Sequence, residues 1–333
     1  MNYKVGLIGC GYVGEKRALA LRKFRNAKLV GAADIDLKKA KELASRHPGC
    51  VYTNHWKKLV EDTNIDILII STTNDMLAEI TRKALKSGKH VLVEKPAGRN
   101  PDEIQKVISV YEKLGRKLKA KVGFNHRFHP AIEKAAEIIG SGNIGKPMFI
   151  RARYGHGGRP GYDREWRASR KKAGGGEMLD QGSHLVDLSR YFMGDFTKAT
   201  GYCANFFWRM EVEDNCFALL KTGGGGVAQL HASCTQWKNI FSFEIFCPGG
   251  QLNIDGLGRS YGTETLTFYK MKPGMGVPDR FVWRFPGRDL SWEKEFRDLL
   301  DSITGNKEPN GSLYDALESM KLIYKIYAAN RMK

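Results

Sequence analysis

The chain has 333 residues, of which 42% are hydrophobic and 27% are charged, the composition of a globular protein large enough for two domains. Lysine and arginine number 54 against 36 aspartate and glutamate residues, a formal net charge of +18, so the excess is either an ordinary solvated basic surface or a surface for an anionic partner. No helix-turn-helix, zinc-finger or RNP-like pattern accompanies the charge, and we predict that nucleic acid is not the partner.

Neither a targeting segment nor a metal motif is visible. The first apolar run is too short for a signal peptide or for the roughly 20 apolar residues of a membrane span, which predicts a cytoplasmic protein with no membrane partner. The cysteines contain no CxxC pair, so we predict reduced, mostly buried thiols and no zinc site. They are Cys10, Cys50, Cys203, Cys216, Cys234 and Cys247.

Short β-rich apolar runs alternate with amphipathic stretches over residues 1–125. This alternation predicts a doubly wound α/β domain, in which helices cover a parallel sheet. The predicted strands are Lys4 to Ile8, Leu29 to Ala33, Ile65 to Ser71, Val91 to Glu94 and Leu118 to Phe124. The helical patterns include Leu37 to Arg46, Leu77 to Lys86 and Pro101 to Leu114.

The pattern changes over residues 126–333, where one helix, Ala131 to Ile139, precedes successive strands. Short glycine-rich turns between these strands favour a mainly antiparallel sheet in a second α/β domain. The predicted strands are Met148 to Tyr154, Thr197 to Phe207, Cys216 to Lys221, Val227 to Cys234, Phe241 to Phe246, Gln251 to Ile254 and Thr265 to Tyr269. Two terminal helices follow, Ser291 to Ile303 and Leu313 to Ala329, as candidates to pack back on the first domain.

The loop Gly9-Cys10-Gly11-Tyr12-Val13-Gly14 follows the first predicted strand and opens a helical pattern. Three glycines at this spacing allow a tight turn and a close backbone approach to a pyrophosphate, which the positive helix N-terminus attracts. Asp34 ends the second predicted strand, where a carboxylate can accept hydrogen bonds from ribose hydroxyls. The pattern predicts an NAD site, with NADP less favoured because a 2′-phosphate would be repelled by Asp34, although Lys38 and Lys39 lie nearby.

Other predicted cofactor contacts lie at the carboxyl ends of later strands, where ligands of open α/β sheets bind. Ser71, Thr72 and Asn74 follow one strand, with an ordinary helix cap as the other interpretation of Asn74. Glu94 and Lys95, at the end of one further strand, and Asn125, at the end of another, complete the set.

Three residues have the chemistry of proton transfer. Lys95 follows a strand at the same sheet edge, where it either shares a proton with a substrate oxygen or is a surface lysine before a turn. Asp180 and His184 are four residues apart and share one face if the segment is helical. A histidine oriented by a carboxylate is a candidate general base, beside the plainer interpretation of a capped helix with a surface histidine. His126 and His129 lack a third ligand at a suitable spacing, so no metal site is predicted.

With these residues identified, the chain resembles the glucose-fructose oxidoreductase and inositol dehydrogenase family of NAD(P)-dependent oxidoreductases. The loop GCGYVG, the tripeptide Glu94-Lys95-Pro96, the segment GFNHRFHP and the block GGGEMLDQGSHLVDL occur in the family's order over nearly the whole chain. The resemblance implies an N-terminal Rossmann domain, and a C-terminal domain whose open sheet forms a homodimer or homotetramer. It also implies a catalytic group of Lys95, Asp180 and His184, with His184 as acid/base, and a cis bond between Lys95 and Pro96.

The segment from residue 151 to 172 holds eight arginines and lysines against Asp163 and Glu165. We expect some of these groups to bind a phosphate or carboxylate of a nucleotide sugar or sugar acid, or else to form a solvated basic loop. The predicted substrate residues are Arg127, Arg153, Trp166 and Arg167. Three other functions stay open: a dehydrogenase of a neutral sugar or inositol, an NAD-dependent glycosidase, and a non-catalytic NAD-binding regulator.

Overall fold

Six parallel strands form the first sheet in the computed structural model, which describes residues 2–330. Its elements are β1 (Tyr3–Ile8), α1 (Tyr12–Leu21), β2 (Ala27–Ala33), α2 (Leu37–Ser45), β3 (Val51–Thr53), α3 (Trp56–Glu61), β4 (Ile67–Ile70), α4 (Asn74–Lys86), β5 (His90–Val93), α5 (Pro101–Lys113) and β6 (Ala120–Val122). The strand order is β3-β2-β1-β4-β5-β6, and the order reverses between β1 and β4. The crevice at their carboxyl ends is where this class of sheet binds its ligand.

The second sheet has eight strands and is antiparallel except where β7 pairs with β10. The remaining elements are α6 (Pro130–Gly140), β7 (Phe149–Gly155), α7 (Arg170–Ala173), α8 (Glu177–Asp180), α9 (Gly182–Met193), β8 (Phe196–Ala204), β9 (Asn215–Thr222), β10 (Val227–Ser233), β11 (Ile240–Cys247), β12 (Gly250–Asp255), β13 (Glu264–Lys270), β14 (Asp279–Phe285), α10 (Ser291–Thr304) and α11 (Leu313–Ala329). The strand order is β14-β13-β12-β11-β7-β10-β9-β8. The predicted fold, a Rossmann domain followed by a mainly antiparallel α/β domain, is confirmed.

Two units divide the chain, one containing the residues up to Asn125 with Trp292–Leu317 and the other His126–Ser291 with the residues from Glu318. The first unit therefore includes most of α10 and the start of α11. Phe296 and Leu299 of α10 are buried in the same apolar cluster as Leu7 of β1. Within residues 2–330, no helix is long and apolar enough to cross a membrane.

Side chains of β7 alternate between the two faces of the second sheet. Ile150, Ala152 and Tyr154 are buried, whereas Arg151 and Arg153 between them are exposed. This period of two is the ordinary geometry of a strand with one covered face. The buried face of β7 is the one that packs against α9, and Arg151 and Arg153 lie on the opposite, exposed face.

Cys203 and Cys216 form a disulfide between β8 and β9. They stand directly opposite each other in the antiparallel register, with 4.0 Å between their Cα atoms. The prediction that all six cysteines are reduced thiols is therefore wrong for this pair. Its spacing of 13 residues becomes informative only when the strand register is known.

Candidate active site

The glycine loop joins β1 to α1, and each of its glycines has a different surrounding. Gly9 has φ of +96°, a conformation that favours glycine. A Cβ on Gly14 would collide with the carbonyl oxygen of Gly9, so the helix approaches the turn closely. A Cβ on Gly11 would meet no atom within 4 Å. The loop is therefore tight where the protein packs and open at Gly11, as a bound pyrophosphate requires.

Asp34 lies beside this loop at the end of β2. Its carboxylate accepts a hydrogen bond of 2.7 Å from the backbone N–H of Cys10 and one of 2.9 Å from that of Asp36. These bonds fix the carboxylate next to the glycine loop while leaving lone pairs for further donors. A ribose with free hydroxyls suits such an acceptor, whereas a 2′-phosphate does not.

The residues after β4 have separate tasks. The Ser71 hydroxyl donates 2.7 Å to the carbonyl of Gly9, so it supports the glycine loop from the neighbouring strand. Thr72 is half-buried, and its hydroxyl donates 3.2 Å to the carbonyl of Thr73. Asn74 begins α4, but Thr73 is the residue in the cap position, without a capping side-chain bond. The alternative interpretation of Asn74 as the cap is therefore wrong.

Glu94 belongs to a buried charged network in the first unit. Its carboxylate accepts a hydrogen bond of 2.7 Å from Nε of Arg17, and the Arg17 guanidinium also pairs with Glu295 of α10. Arg17 and Glu295 are almost fully buried, and the Trp292 ring lies 4.4 Å from the guanidinium. The ion pairs between a buried arginine and two carboxylates are costly to break, so the Glu94 side chain has a fixed orientation.

Lys95 follows Glu94 directly after β5, and the Lys95-Pro96 peptide bond is cis, which confirms the bond implied by the resemblance. The lysine side chain is half-buried, and it belongs to the first unit with the glycine loop. Asn125, the last residue of that unit, is buried after β6.

Asp180 and His184 belong to the second unit, where they lie on two consecutive helices. Asp180 ends α8, Gln181 separates the helices, and His184 occupies the first turn of α9. Gln181 keeps right-handed helical dihedrals, φ −79° and ψ −42°, so the segment stays helical through the residue that joins the two helices. His184 is 5% exposed, whereas the Asp180 side chain is 25% exposed.

Aromatic side chains surround His184. The His126 ring stacks on it with 3.7 Å between centroids and 23° between planes. The Tyr154 ring, on the covered face of β7, lies 6.2 Å from His184 and 5.2 Å from His126. His126 therefore contacts the proposed acid/base as a flat packing partner. In the sequence, His126 stands out as part of the segment GFNHRFHP and as a metal-ligand candidate that lacks a third ligand.

Glu177 is a buried carboxyl three residues before Asp180, and sequence reasoning missed it. The Tyr162 hydroxyl donates 2.9 Å to its Oε1 atom, and His156 Nε2 lies 3.9 Å from Oε2. Burial, together with the charge of Asp180, raises the pKa of Glu177 to about 8. Its tyrosine partner is 15 residues away, so a local motif could not have revealed the pair.

Two of the predicted substrate residues lie near Asp180. Nε of Arg167 donates 3.0 Å to Oδ2 of Asp180, and the guanidinium carbon lies 4.5 Å from the Trp166 ring centroid. The Arg167 side chain is 33% exposed, so it reaches both the carboxylate and solvent.

The other two predicted substrate residues are corrected by the structure. Arg153 lies on the exposed face of β7, opposite to Tyr154 and therefore away from His184, because strand side chains alternate. Arg127 is buried and forms a bidentate ion pair with Asp187, at 2.8 and 2.6 Å. Its charge is already matched inside the protein, which disfavours a role in binding a substrate anion.

The part of the chain that the structure describes contains no group of three or more His, Cys, Asp or Glu side chains arranged to hold a metal ion. His129 instead pairs with Glu264, at 2.9 Å from Nδ1 to the carboxylate.

Comparisons with known proteins match a family model to each of two segments of the chain. Residues 3–122 match the oxidoreductase family described as having an NAD-binding Rossmann fold, and residues 132–253 match the GFO/IDH/MocA C-terminal domain. The chain is 28% identical to the levoglucosan dehydrogenase of Pseudarthrobacter phenanthrenivorans, over 93% of this chain and 82% of that protein. It is 24% identical to an inositol 2-dehydrogenase/D-chiro-inositol 3-dehydrogenase of Lactiplantibacillus plantarum, over 92% and 85%.

A solved structure of levoglucosan dehydrogenase in complex with NADH and levoglucosan has the same fold. It matches with a TM-score of 0.89 and 23% identity, over 99% of this chain and 97% of that chain.

Proposed function

The chain belongs to the GFO/IDH/MocA family of NAD-binding oxidoreductases, and we propose that it oxidises a secondary alcohol of an anionic sugar derivative, or reduces the corresponding ketone. It is an NAD-dependent dehydrogenase acting on CH–OH groups. The observation that carries the finer proposal is that Arg164 and Lys172, in the segment from residue 151 to 172, are exposed and form no ion pair within residues 2–330, while Arg167 of the same segment contacts Asp180.

The first unit has the features that NAD requires. The open backbone at Gly11 and the amide groups at the start of α1, with Tyr12, Val13 and Gly14, suit the pyrophosphate. The Asp34 carboxylate suits the adenosine ribose. NAD bound there supplies the hydride acceptor. Ser71, Thr72, Asn74, Glu94 and Asn125 are proposed to contact it further.

His184 is the proposed acid/base. Its imidazole takes the proton from the substrate hydroxyl as the carbon loses hydride, and returns it when the reaction runs backwards. The His126 ring holds the imidazole by stacking, and Asp180 is the carboxylate that orients the substrate or the histidine.

Lys95 is proposed to assist His184. A lysine ammonium donates a hydrogen bond to the substrate oxygen and stabilises the negative charge that develops when its proton leaves. The Arg17–Glu94–Glu295 network fixes the residue immediately before it, so the backbone from which the lysine projects is held firmly.

An anionic substrate is proposed because the segment from residue 159 to 172 has one arginine, Arg167, in contact with Asp180 and carries further exposed cationic side chains. Arg159 pairs with Glu165, whereas Arg164 and Lys172 are exposed and form no ion pair within residues 2–330. Arginine forks and lysine ammonium groups bind phosphate and carboxylate well. The names of the relatives favour the other candidate, a neutral sugar or inositol.

A substrate panel separates these two candidates. The purified protein is mixed with NAD and with nucleotide sugars, sugar acids, free sugars or inositols in turn, and NADH formation is followed by absorbance. We expect the highest kcat/KM with an anionic compound. Better turnover of a neutral sugar or inositol than of every anionic analogue would reject the anionic substrate. It would not affect the conclusion that the protein is a dehydrogenase.

A further inference from the structure

Four aromatic residues on two connections of the second unit form what we call the aromatic platform: Phe206, Phe207, Trp208 and Trp237. Three of them are strongly exposed, Phe206 to 64%, Phe207 to 59% and Trp237 to 67%. The Phe207 ring meets Trp208 edge-to-face at 5.1 Å and Trp237 at 4.9 Å. Exposed aromatic clusters of this kind are often functional.

The backbone of the platform is held by a buried carboxylate. Asp214 is 0% exposed and accepts hydrogen bonds from the backbone N–H groups of Phe206, Phe207 and Trp208, at 2.8–3.1 Å. The indole N–H of Trp208 donates 2.8 Å to the carbonyl of Cys234. The exposed rings of Phe206 and Phe207 therefore belong to a loop with a fixed backbone, which lowers the entropy cost of binding a ligand on them.

The platform packs against the segment from residue 151 to 172, which is rich in arginine and lysine. Gly158 has φ of +71°, and a Cβ there would lie 2.6 Å from the Trp208 ring. The backbone at Gly158 therefore packs directly against this ring. The Tyr162 ring is 5.8 Å from that of Trp208, and its hydroxyl binds Glu177 on α8, the helix that Asp180 ends. The Tyr162 side chain thus connects the platform to Glu177, three residues before Asp180 in the chain.

Two exposed cationic residues adjoin the platform in sequence. Arg209 and Lys238 are each adjacent in sequence to a tryptophan of the platform, and both are exposed. Neither forms an ion pair within the described part of the chain, residues 2–330. Glu211, the nearest exposed acid along the loop, accepts a hydrogen bond of 2.8 Å from the backbone N–H of Arg170. Exposed flat rings with cationic residues next to them in the chain match a ligand that has both a planar ring and an anionic group.

We propose that the aromatic platform binds the nucleoside diphosphate part of the substrate, with the base stacked on Trp237 or Phe207 and the phosphates held by Arg209 and Lys238. The proposal rests on the proposed function, which it narrows to a nucleotide-linked sugar. A second copy of the chain is a poorer occupant, because three rings expose only about 400 Å², half of the roughly 800 Å² that each partner of a specific complex buries.

Isothermal titration calorimetry tests this with UDP, GDP and ADP as probes, with NAD at saturation so that the dinucleotide site is filled. We expect binding of at least one nucleoside diphosphate, and weaker binding of uridine and of inorganic diphosphate. Trp237→Ala should raise the Kd for that nucleoside diphosphate about tenfold or more, because a stacking ring is lost. Trp237→Phe should restore most of the affinity, and Arg209→Ala should weaken nucleotide binding without affecting uridine.

Phe281→Ala is the matched control, because Phe281 is an exposed aromatic residue on β14 and lies outside the platform. It should leave the Kd unchanged. The proposal is overturned if no nucleoside diphosphate binds, or if Trp237→Ala and Phe207→Ala leave the affinity as it was. Loss of a dimer in Trp237→Ala, seen by light scattering with unchanged nucleotide binding, would assign the platform to a second copy and also overturn it. None of these results depends on turnover, so they are distinct from failure of the dehydrogenase itself.

Discussion

Glu177 is held next to a second carboxylate, Asp180, in a buried setting, and its pKa of about 8 lies above the ordinary value of 4.5. Between these two pH values the folded protein keeps a proton that the unfolded chain has released. The contribution of Glu177 to stability is therefore complete below about pH 4.5 and is lost as the pH rises through 8. The groups facing it are Tyr162, His156, Cys234 and Glu213, besides Asp180.

Glu177→Gln removes this titration and keeps an acceptor for the Tyr162 hydroxyl. The melting temperature of the wild type should fall more steeply between pH 6 and pH 9 than that of the variant. Thermal unfolding in a series of buffers measures the difference. Glu61→Gln, at an exposed position, is the control and should follow the wild type. Parallel pH profiles for Glu177→Gln and the wild type would mean that Glu177 is ionised throughout.

His126 stacks on the His184 ring and would act on the proposed chemistry through that ring, as a positioning residue. His126→Ala leaves that ring without its stacking partner, and kcat should fall by roughly 10–100-fold because the acid/base is misplaced. His126→Phe keeps a flat ring and should retain most of kcat, and the KM for NAD should stay unchanged in both. Steady-state NADH formation across a pH range checks this. Equal kcat values for the alanine variant and the wild type at every pH would refute the positioning role.

Helix α1 closely approaches the turn that follows β1. Gly14 packs against the carbonyl of Gly9, whereas Gly11 faces open space, although both belong to one sequence motif. The motif predicted this loop and its ligand class, because spacing alone encodes a strand-to-helix turn. It could not predict which glycine serves the fold and which serves the ligand.

Gly14→Ala and Gly11→Ala separate these two tasks. Gly14→Ala should destabilise the protein by about 1–3 kcal/mol through overpacking and weaken NAD binding as well. Gly11→Ala should keep the melting temperature near that of the wild type while raising the Kd for NAD. Thermal unfolding and NAD calorimetry on both variants give the answer. A Gly11→Ala variant that binds NAD normally would place the pyrophosphate elsewhere.

Edge strands were harder to predict than central ones. β3 has three residues, with Val51 and Tyr52 exposed, and β14 carries charged residues and lies at the sheet edge, so neither shows the apolar run of a buried strand. The parallel pairing of β7 with β10 joins segments far apart in the chain, which no local pattern records.

At the scale of the whole molecule, the candidate site residues are distributed over two units. The glycine loop, Asp34 and Lys95 belong to the first, and Asp180 and His184 to the second. Motif spacing and the predicted sheet topology singled out the glycine loop and Asp34 as candidates. The family resemblance singled out Lys95, Asp180 and His184 jointly. Arg17 could not be predicted, because its partners Glu94 and Glu295 are 77 and 278 residues away. Assembly through the open sheet and a cytoplasmic location stay predictions.

The central claim is that Lys95 and His184 make an NAD-binding fold into a dehydrogenase, and it is tested most directly by kinetics and NAD binding on two variants. His184→Ala and Lys95→Ala, each assayed with the best substrate of the panel, should lower turnover by orders of magnitude, on the order of 10²–10⁴-fold for a lost acid/base. Calorimetry should give NAD Kd values close to that of the wild type. Retained turnover in both variants would contradict the proposed roles.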